Sequence, residues 1–289
     1  MGIDNAGTVA IGDRTVPRLG YGTMRLTGPG IFGPPADRAE AIRVLRRAVE
    51  LGVRVIDTAW YYGPDVANQI LAEALSPYPE DLLIVTKLGG ARRDNGAWYA
   101  AMSPQELRDG CDRDLRLLGV DCIPVVHVRV MPGRAAAFDD ALGTLIELKA
   151  AGKIGRIGLS NVTVEQLDRA LLETEVATVS NAYSVIDRSD EAMVDRCTAA
   201  GIAYLPFFPL GATNVSAEAG AARNDDVQRV AAALGATPLQ VAIAWLLQRS
   251  PVLLPIPGTS RVAHLEENLG AADVTLGPDH LAELAGSEH

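Results

Sequence analysis

Cysteine is scarce in this 289-residue chain: Cys111, Cys122 and Cys197 are odd in number, and none stands at metal-ligand spacing. That excludes a disulfide framework and a cysteine zinc site, and it suits a reducing compartment in which each thiol serves packing. Histidine is nearly as rare, four residues with none paired at ligand spacing, so no metal is expected. Basic charge is also short. With 26 Lys and Arg against 36 Asp and Glu, the formal net charge is -10, which argues against nucleic acid as a partner, because phosphate binding needs clustered cations. No uninterrupted apolar run approaches the roughly 20 residues that span a bilayer, and residues 1–14 lack the basic and apolar regions of a signal peptide. A cytoplasmic protein with no membrane contact is expected.

Also missing are a Pro/Gly/Ser linker, a break in composition and a self-similar repeat longer than one strand-helix unit. The whole of 1–289 therefore reads as one domain. No Gly-x-Gly-x-x-Gly stands at a strand-to-helix turn, which counts against a Rossmann dinucleotide site.

What is present is a steady alternation. Short apolar runs at 19–22, 53–57, 82–87, 123–129, 154–160, 177–181, 202–207 and 252–256 alternate with amphipathic segments such as 37–51, 104–118, 134–151, 164–173 and 238–249. Ser103-Pro104 and Thr237-Pro238 read as N-cap plus first-turn proline, marking two helix starts. Eight runs, in a chain near the roughly 250 residues such a fold needs, predict an α/β protein built as a single (β/α)8 TIM barrel. Residues 8–17, turning at Gly12-Asp13, read as an N-terminal β-hairpin closing the barrel's lower end. The stretch Thr27-Gly-Pro-Gly-Ile-Phe-Gly-Pro-Pro35 is too long and glycine-rich for a plain connector and is expected over the upper, substrate-binding end.

Catalytic groups in such a barrel come from the C-terminal ends of strands. Asp57 ends one run, Lys87 ends another, and Tyr62 follows in the tight loop Asp57-Thr-Ala-Trp-Tyr-Tyr-Gly63. Singly, these are a loop cap, a solvated lysine and a packing tyrosine. Together they resemble the motif of the aldo-keto reductases: Asp-Thr-Ala, two residues, Tyr-Gly, then a strand ending in Lys. The similarity continues through Leu19-Gly-Tyr-Gly-Thr-Met24, Gly158-Leu-Ser-Asn161, Phe208-Pro-Leu-Gly211, Ile256-Pro-Gly-Thr-Ser260 and Glu267-Asn268, nearly the whole chain.

That resemblance implies NADPH-dependent reduction of a small aldehyde or ketone. A carbonyl that accepts hydride develops oxyanion charge, and a positioned phenol, Tyr62, can protonate it. An ordinary tyrosine titrates near about 10, so a neighbouring ammonium, Lys87, is expected to favour the phenolate, with Asp57 orienting Lys87. The family usually adds a histidine on the fourth strand. Counting without gaps from Leu118 puts Arg129 at that position and His127 two residues earlier on the same strand face. Arg129, nearer the strand's end, is taken as the fourth catalytic residue, and His127 as a barrel-interior histidine.

For the cofactor, NADPH/NADP+, the resemblance implies contacts from Gly22, Thr23, Met24 and Asp57. Ser160 and Asn161 would hold the carboxamide, with Ser180 in the place usually filled by glutamine and Phe207 stacking where Tyr or Trp is usual. Leu210 and Gly211 would offer backbone to the pyrophosphate. Gly258, Thr259, Ser260 and Arg261 resemble the adenosine-phosphate segment, although Thr259 or Ser260 also reads as an ordinary N-cap. His264 stands where arginine is common, and Glu267 and Asn268 would meet adenine. Arg261, with Ser260 and His264, would read the 2′-phosphate that distinguishes NADPH from NADH.

Met24, Phe32, Trp60 and Trp98 are the expected substrate wall. Gly28-Pro-Gly-Ile-Phe-Gly-Pro-Pro35 and Ala244-Trp-Leu-Leu-Gln-Arg-Ser250 resemble the family's bacterial pyridoxal reductase branch, which implies pyridoxal as substrate. A keto sugar or secondary-metabolite ketone, or a nucleotide-binding regulatory role with weak turnover, remains open. A monomer or weak homo-oligomer acting on a small carbonyl compound is expected.

Overall fold

The computed structural model describes residues 3–211 and 220–286. It opens with an antiparallel hairpin, β1 (Thr8–Ile11) and β2 (Arg14–Pro17), whose turn uses Gly12 at φ +60°. From there the chain runs through β3 (Tyr21–Gly22), α1 (Arg38–Glu50), β4 (Val55–Asp57), α2 (Val66–Leu75) and β5 (Leu83–Leu88). A second hairpin follows, β6 (Gly90–Arg92) and β7 (Trp98–Ala100), then α3 (Pro104–Leu118), β8 (Ile123–Arg129), α4 (Phe138–Ala150), β9 (Ile154–Ser160) and α5 (Val164–Leu171). The remainder is β10 (Val176–Ser180), α6 (Glu191–Ala200), β11 (Ala203–Tyr204), α7 (Asp225–Leu234), α8 (Pro238–Arg249), α9 (Val262–Leu269) and α10 (Pro278–Ala285).

Seven strands form one parallel sheet in the order β11-β10-β9-β8-β5-β4-β3. The eighth stave, expected at 252–256, is present but is not a regular strand. Tyr204 N donates to Val252 O at 2.9 Å, Leu254 N to Tyr204 O at 2.8 Å, and Gly20 N to Pro255 O at 2.9 Å. The segment thus bridges β11 to the residues before β3 and closes the (β/α)8 ring. Pro251, Pro255 and Pro257 supply no N–H, which is why no continuous ladder forms there.

The helices begin where local chemistry says. Ser103 and Thr237 each make a reciprocal capping box, with Glu106 and Gln240 respectively, and proline occupies the first turn of both α3 and α8. Such caps contribute about 1 kcal/mol each. The segment expected to be helical from 134 begins instead with a short 3-10 turn, and α4 proper starts at Phe138.

Strand alternation decides what faces the barrel interior. Ile56 and Ile84 pack outward against Leu45 of α1 and Ile70 of α2, whereas Val55 and Val85 belong to the cluster that holds Val9, Ile11 and Val16 of the first hairpin. The hairpin is held there by an ion pair between Asp13 and Arg156 at the start of β9. The same alternation sends Asp57 and Lys87, two residues beyond Val55 and Val85, to the interior face. No single helix among the described residues is long and apolar enough to cross a membrane.

Candidate active site

Lys87 and Asp57 are both almost wholly withdrawn from solvent. Lys87 Nζ stands 2.5 Å from each carboxylate oxygen of Asp57 and donates to Thr58 O at 3.2 Å. Either charge alone would be costly to bury; paired and hydrogen-bonded, they are tolerated. Burial pushes the Asp57 carboxyl up, and the adjacent Lys87 ammonium draws it back down.

The loop leaving β4 is fixed by its own backbone. Tyr62 N donates to Ala59 O at 3.0 Å, and Ala67 N to Tyr62 O at 3.2 Å, carrying the chain into α2. Gly63 sits at φ +88°, and a Cβ there would lie 2.6 Å from Val66 Cβ, so glycine is required. The 27–35 loop is strapped to this turn: Gly63 N donates to Ile31 O at 3.2 Å, and Gly33 N to Gly63 O at 3.1 Å.

Tyr62 is held with its ring 5.4 Å from Lys87 Nζ and edge-on to Tyr61 at 5.4 Å. Burial and the Asp57 charge raise its phenol above the usual tyrosine range, and Arg129 opposes them. The sequence assigns that opposing role to Lys87. In the folded protein Lys87 is engaged by the Asp57 carboxylate with its Nζ over the Tyr62 ring, and the guanidinium of Arg129 also favours the phenolate.

Arg129, Ser160 and Ser180 form one rung across β8, β9 and β10, each paired in register with the next. Each carries a buried polar atom without a partner: Arg129 Nε, Ser160 Oγ and Ser180 Oγ. Asn161, at φ 57°, follows the rung and donates its N–H to Ser180 O at 3.2 Å. His127 is fully buried, with Nε2 2.6 Å from Thr178 Oγ1. Burial, Lys87 and Arg129 all hold its imidazole well below the usual range, hence neutral.

Gly22, Met24, Asp57, Tyr62, Lys87 and Arg129 line a cavity of about 280 Å³, whereas Ser160, Ser180 and His127 are buried beside it and are not part of its lining. Asn161, Phe207, Leu210, Gly258 and Trp98 complete the expected part of its wall. The sequence reading missed Met131 and Pro132, although both directly follow Arg129, the last residue of β8.

Several expected residues lie elsewhere. Trp60 packs against α3, under the Arg113 guanidinium at 4.5 Å, and Phe32 stands partly exposed beside Arg92; neither lines the cavity. Thr23 is buried behind it, donating to Thr58 Oγ1 at 2.9 Å. Gly211, at φ +67°, packs against Ile186 in a turn closed by its N–H on Phe208 O at 2.8 Å.

Beyond Gly258 the chain is pressed against β3: a Cβ on Gly258 would meet Gly22 O at 2.6 Å, and Tyr21 Oη donates to Thr259 O at 2.5 Å. Thr259 Oγ1 accepts from Arg261 N at 3.3 Å in a local turn, but the N-cap of α9 is Arg261 itself, without a side-chain cap bond, so neither Thr259 nor Ser260 caps the helix. Ser260 and Arg261 line a second cavity of about 570 Å³, which shares Met24 and Arg25 with the first. Ser260, Arg261 and His264 are exposed, Glu267 is half-buried, and Asn268 is buried with Oδ1 unpartnered. Four of the unpartnered buried atoms, on Arg129, Ser160, Ser180 and Asn268, thus fall at positions expected to meet cofactor or substrate. Buried polar groups normally have partners, so this pattern fits a polar ligand such as a nicotinamide dinucleotide. Among the described residues, no cluster of His, Cys, Asp and Glu is fit to hold a metal.

Comparison with known proteins agrees with this geometry. Residues 18–288 match the Aldo/keto reductase family. The chain is 47% identical over 287 residues to Pyridoxine 4-dehydrogenase of Escherichia coli strain K12, covering 98% of each. It is 38% identical over 279 residues to an uncharacterized oxidoreductase of Schizosaccharomyces pombe, covering 96% of this chain and 89% of that one. A solved aldo/keto reductase from Klebsiella pneumoniae, in complex with NADP and acetate, is similar with a TM-score of 0.78 at 25% identity, covering 96% of this chain and 93% of that one. The chain belongs to the aldo/keto reductase family. It is an oxidoreductase, and the reaction of its family is nicotinamide-dependent carbonyl reduction.

Proposed function

We propose that the protein reduces a small aldehyde with NADPH, and that the aldehyde is pyridoxal. The observation that carries the reading is the convergence of Tyr62, the Lys87–Asp57 pair and Arg129 on one cavity, beside a rung of unpartnered polar atoms. Bound nicotinamide supplies the hydride. Ser160, Asn161 and Ser180 hold its carboxamide, and Phe207 offers a ring face for stacking. Ser260 and Arg261 take the adenosine end.

The chain's own task is then to orient the carbonyl and deliver a proton. Tyr62 Oη donates to the carbonyl oxygen as negative charge develops there. Arg129 stabilises both the developing alkoxide and the phenolate that Tyr62 becomes. Lys87, locked by Asp57, stands under the tyrosine ring and offers a route for reprotonation. Burial of the site keeps water out and strengthens each of these interactions.

The pyridoxal reading is supported by the 47%-identical relative and by Arg129. Pyridoxal has an acidic ring hydroxyl beside its aldehyde, and a guanidinium presents several donors in a fixed fork, enough for phenolate and alkoxide oxygens together. Met24, Trp98 and Phe207 provide apolar wall for the flat ring. The test is NADPH consumption with pyridoxal, benzaldehyde and a keto sugar, for the parent and for Arg129→His. Pyridoxal should be preferred by the parent, and the preference should fall in the variant. Equal rates for all three compounds would remove pyridoxal and leave the general reductase reading in place.

A further inference from the structure

Asp114, on α3, is fully buried and forms no ion pair among the described residues. Its carboxylate instead collects a chain of neutral donors. Asn68 Nδ2 donates to Oδ1 at 2.6 Å, and Thr86 Oγ1 donates to Oδ2 at 2.8 Å. Thr58 Oγ1 donates to Asn68 Oδ1 at 2.7 Å, and Thr23 Oγ1 donates to Thr58 Oγ1 at 2.9 Å. All four partners are fully buried, and every donor points toward Asp114.

The three threonines share one sequence relationship. Thr23 precedes Met24, Thr58 follows Asp57, and Thr86 precedes Lys87, and all three of these neighbours line the cavity. On β5 adjacent side chains point to opposite faces, so Thr86 lies behind Lys87, while Thr58 directly follows β4 and Thr23 opens the 3-10 turn that carries Met24 just after β3. The network therefore grips the backs of the strand ends whose fronts form the site, and Thr58 also gives its carbonyl to Lys87 Nζ.

We propose that Asp114 is a positioning residue for the reduction: it gathers the ends of β3, β4 and β5 through Asn68 and the three threonines, and so sets where Lys87 and Asp57 stand. The proposal rests on the reductase reading above. A buried carboxylate without a cation is costly, and apolar packing in its place would stabilise the fold, so its presence calls for a role in geometry. Burial pushes the Asp114 carboxyl up to about 7, with Asp65 adding to the rise, while the bonds from Thr86 and Asn68 and the charge of Lys87 oppose it. Cys111, one turn earlier on α3, is held as a neutral thiol by burial and by the nearby Asp114 charge.

The test uses Asp114→Asn and the milder Thr86→Val, which keeps the side-chain shape. Turnover of the best carbonyl substrate is measured from pH 5.5 to 8.5, and NADPH affinity by fluorescence titration. Lys87 is followed independently of turnover. The chain has three lysines, Lys87, Lys149 and Lys153, so ε-13C-lysine labelling resolves Lys87 by NMR. The expected result is a fall in kcat of roughly 10- to 100-fold, the scale of a small misplacement of catalytic groups, with NADPH affinity within about twofold. The Lys87 signal should move while those of Lys149 and Lys153 stay, and the acid limb of the parent profile near pH 7 should be absent in Asp114→Asn. Parent-like kcat and an unmoved Lys87 signal in both folded variants would overturn the proposal. If the parent turns over no carbonyl, the reductase reading fails, and the Lys87 signal alone decides whether Asp114 positions that ammonium.

Discussion

Lys87 and His127 are register partners on β5 and β8, yet only Lys87 reaches the cavity. The imidazole is turned into the barrel and bonded to Thr178, with burial and two nearby cations holding it neutral. The ring signals of His127 should therefore not titrate between pH 5 and 8. A two-dimensional NMR titration checks this; a midpoint near the ordinary value of about 6.5 would place a proton the structure does not allow.

Breaking the Lys87–Asp57 pair should cost both stability and rate. Lys87→Met leaves a buried carboxylate alone, a change worth about 3–5 kcal/mol. The double variant Lys87→Met with Asp57→Asn should recover much of that loss in urea unfolding but none of the turnover. Equal stability of the single and double variants would mean that Asp57 is not charged in the fold.

Arg261 is exposed at the start of α9, where the Val262 N–H is already taken by Glu40 Oε1 at 3.0 Å. A 2′-phosphate there must rely on side chains more than on the helix end. Arg261→Ala should raise KM for NADPH about tenfold or more and leave that for NADH nearly unchanged, as expected for one charge-assisted contact. Equal effects on both cofactors would show that Arg261 does not meet that phosphate.

Asp114 also makes a stability prediction with a definite sign. Its carboxyl titrates near about 3.9 in an unfolded chain and is pushed up to about 7 in the fold. The folded form binds the proton more tightly, so this contribution is full below pH 4 and is lost as pH rises through about 7. The thermal midpoint of the parent should fall relative to Asp114→Asn between pH 5 and 8. Parallel curves would mean that the carboxyl is not perturbed.

Much of this was legible in the sequence. Period-two alternation and the caps at Ser103 and Thr237 place β8, β9, α3 and α8 to the residue. Asp57, Tyr62 and Lys87 converge because each stands at or just after a strand end. What escaped has physical causes. The eighth stave is apolar enough to read as a strand, but its prolines deny it a ladder. The β6–β7 hairpin has a turn signal in Asn95-Gly96, but its short strands interrupt a strand-helix rhythm that predicts none. Trp60 and Phe32 look like a substrate wall by composition, and only packing against Arg113 and Arg92 shows them facing elsewhere. Asp114 is invisible in sequence, because an acid in an amphipathic helix reads as a solvated face.

On the proposed mechanism Tyr62 delivers the proton. Tyr62→Phe removes one oxygen from the cavity and leaves the Lys87–Asp57 pair and the Arg129 rung in place. Single-turnover oxidation of prebound NADPH by the best carbonyl substrate should slow by roughly 10²–10⁴-fold, the scale of general acid catalysis, with NADPH affinity within about twofold of the parent. A rate equal to the parent's, with the cofactor bound as tightly, would contradict the account.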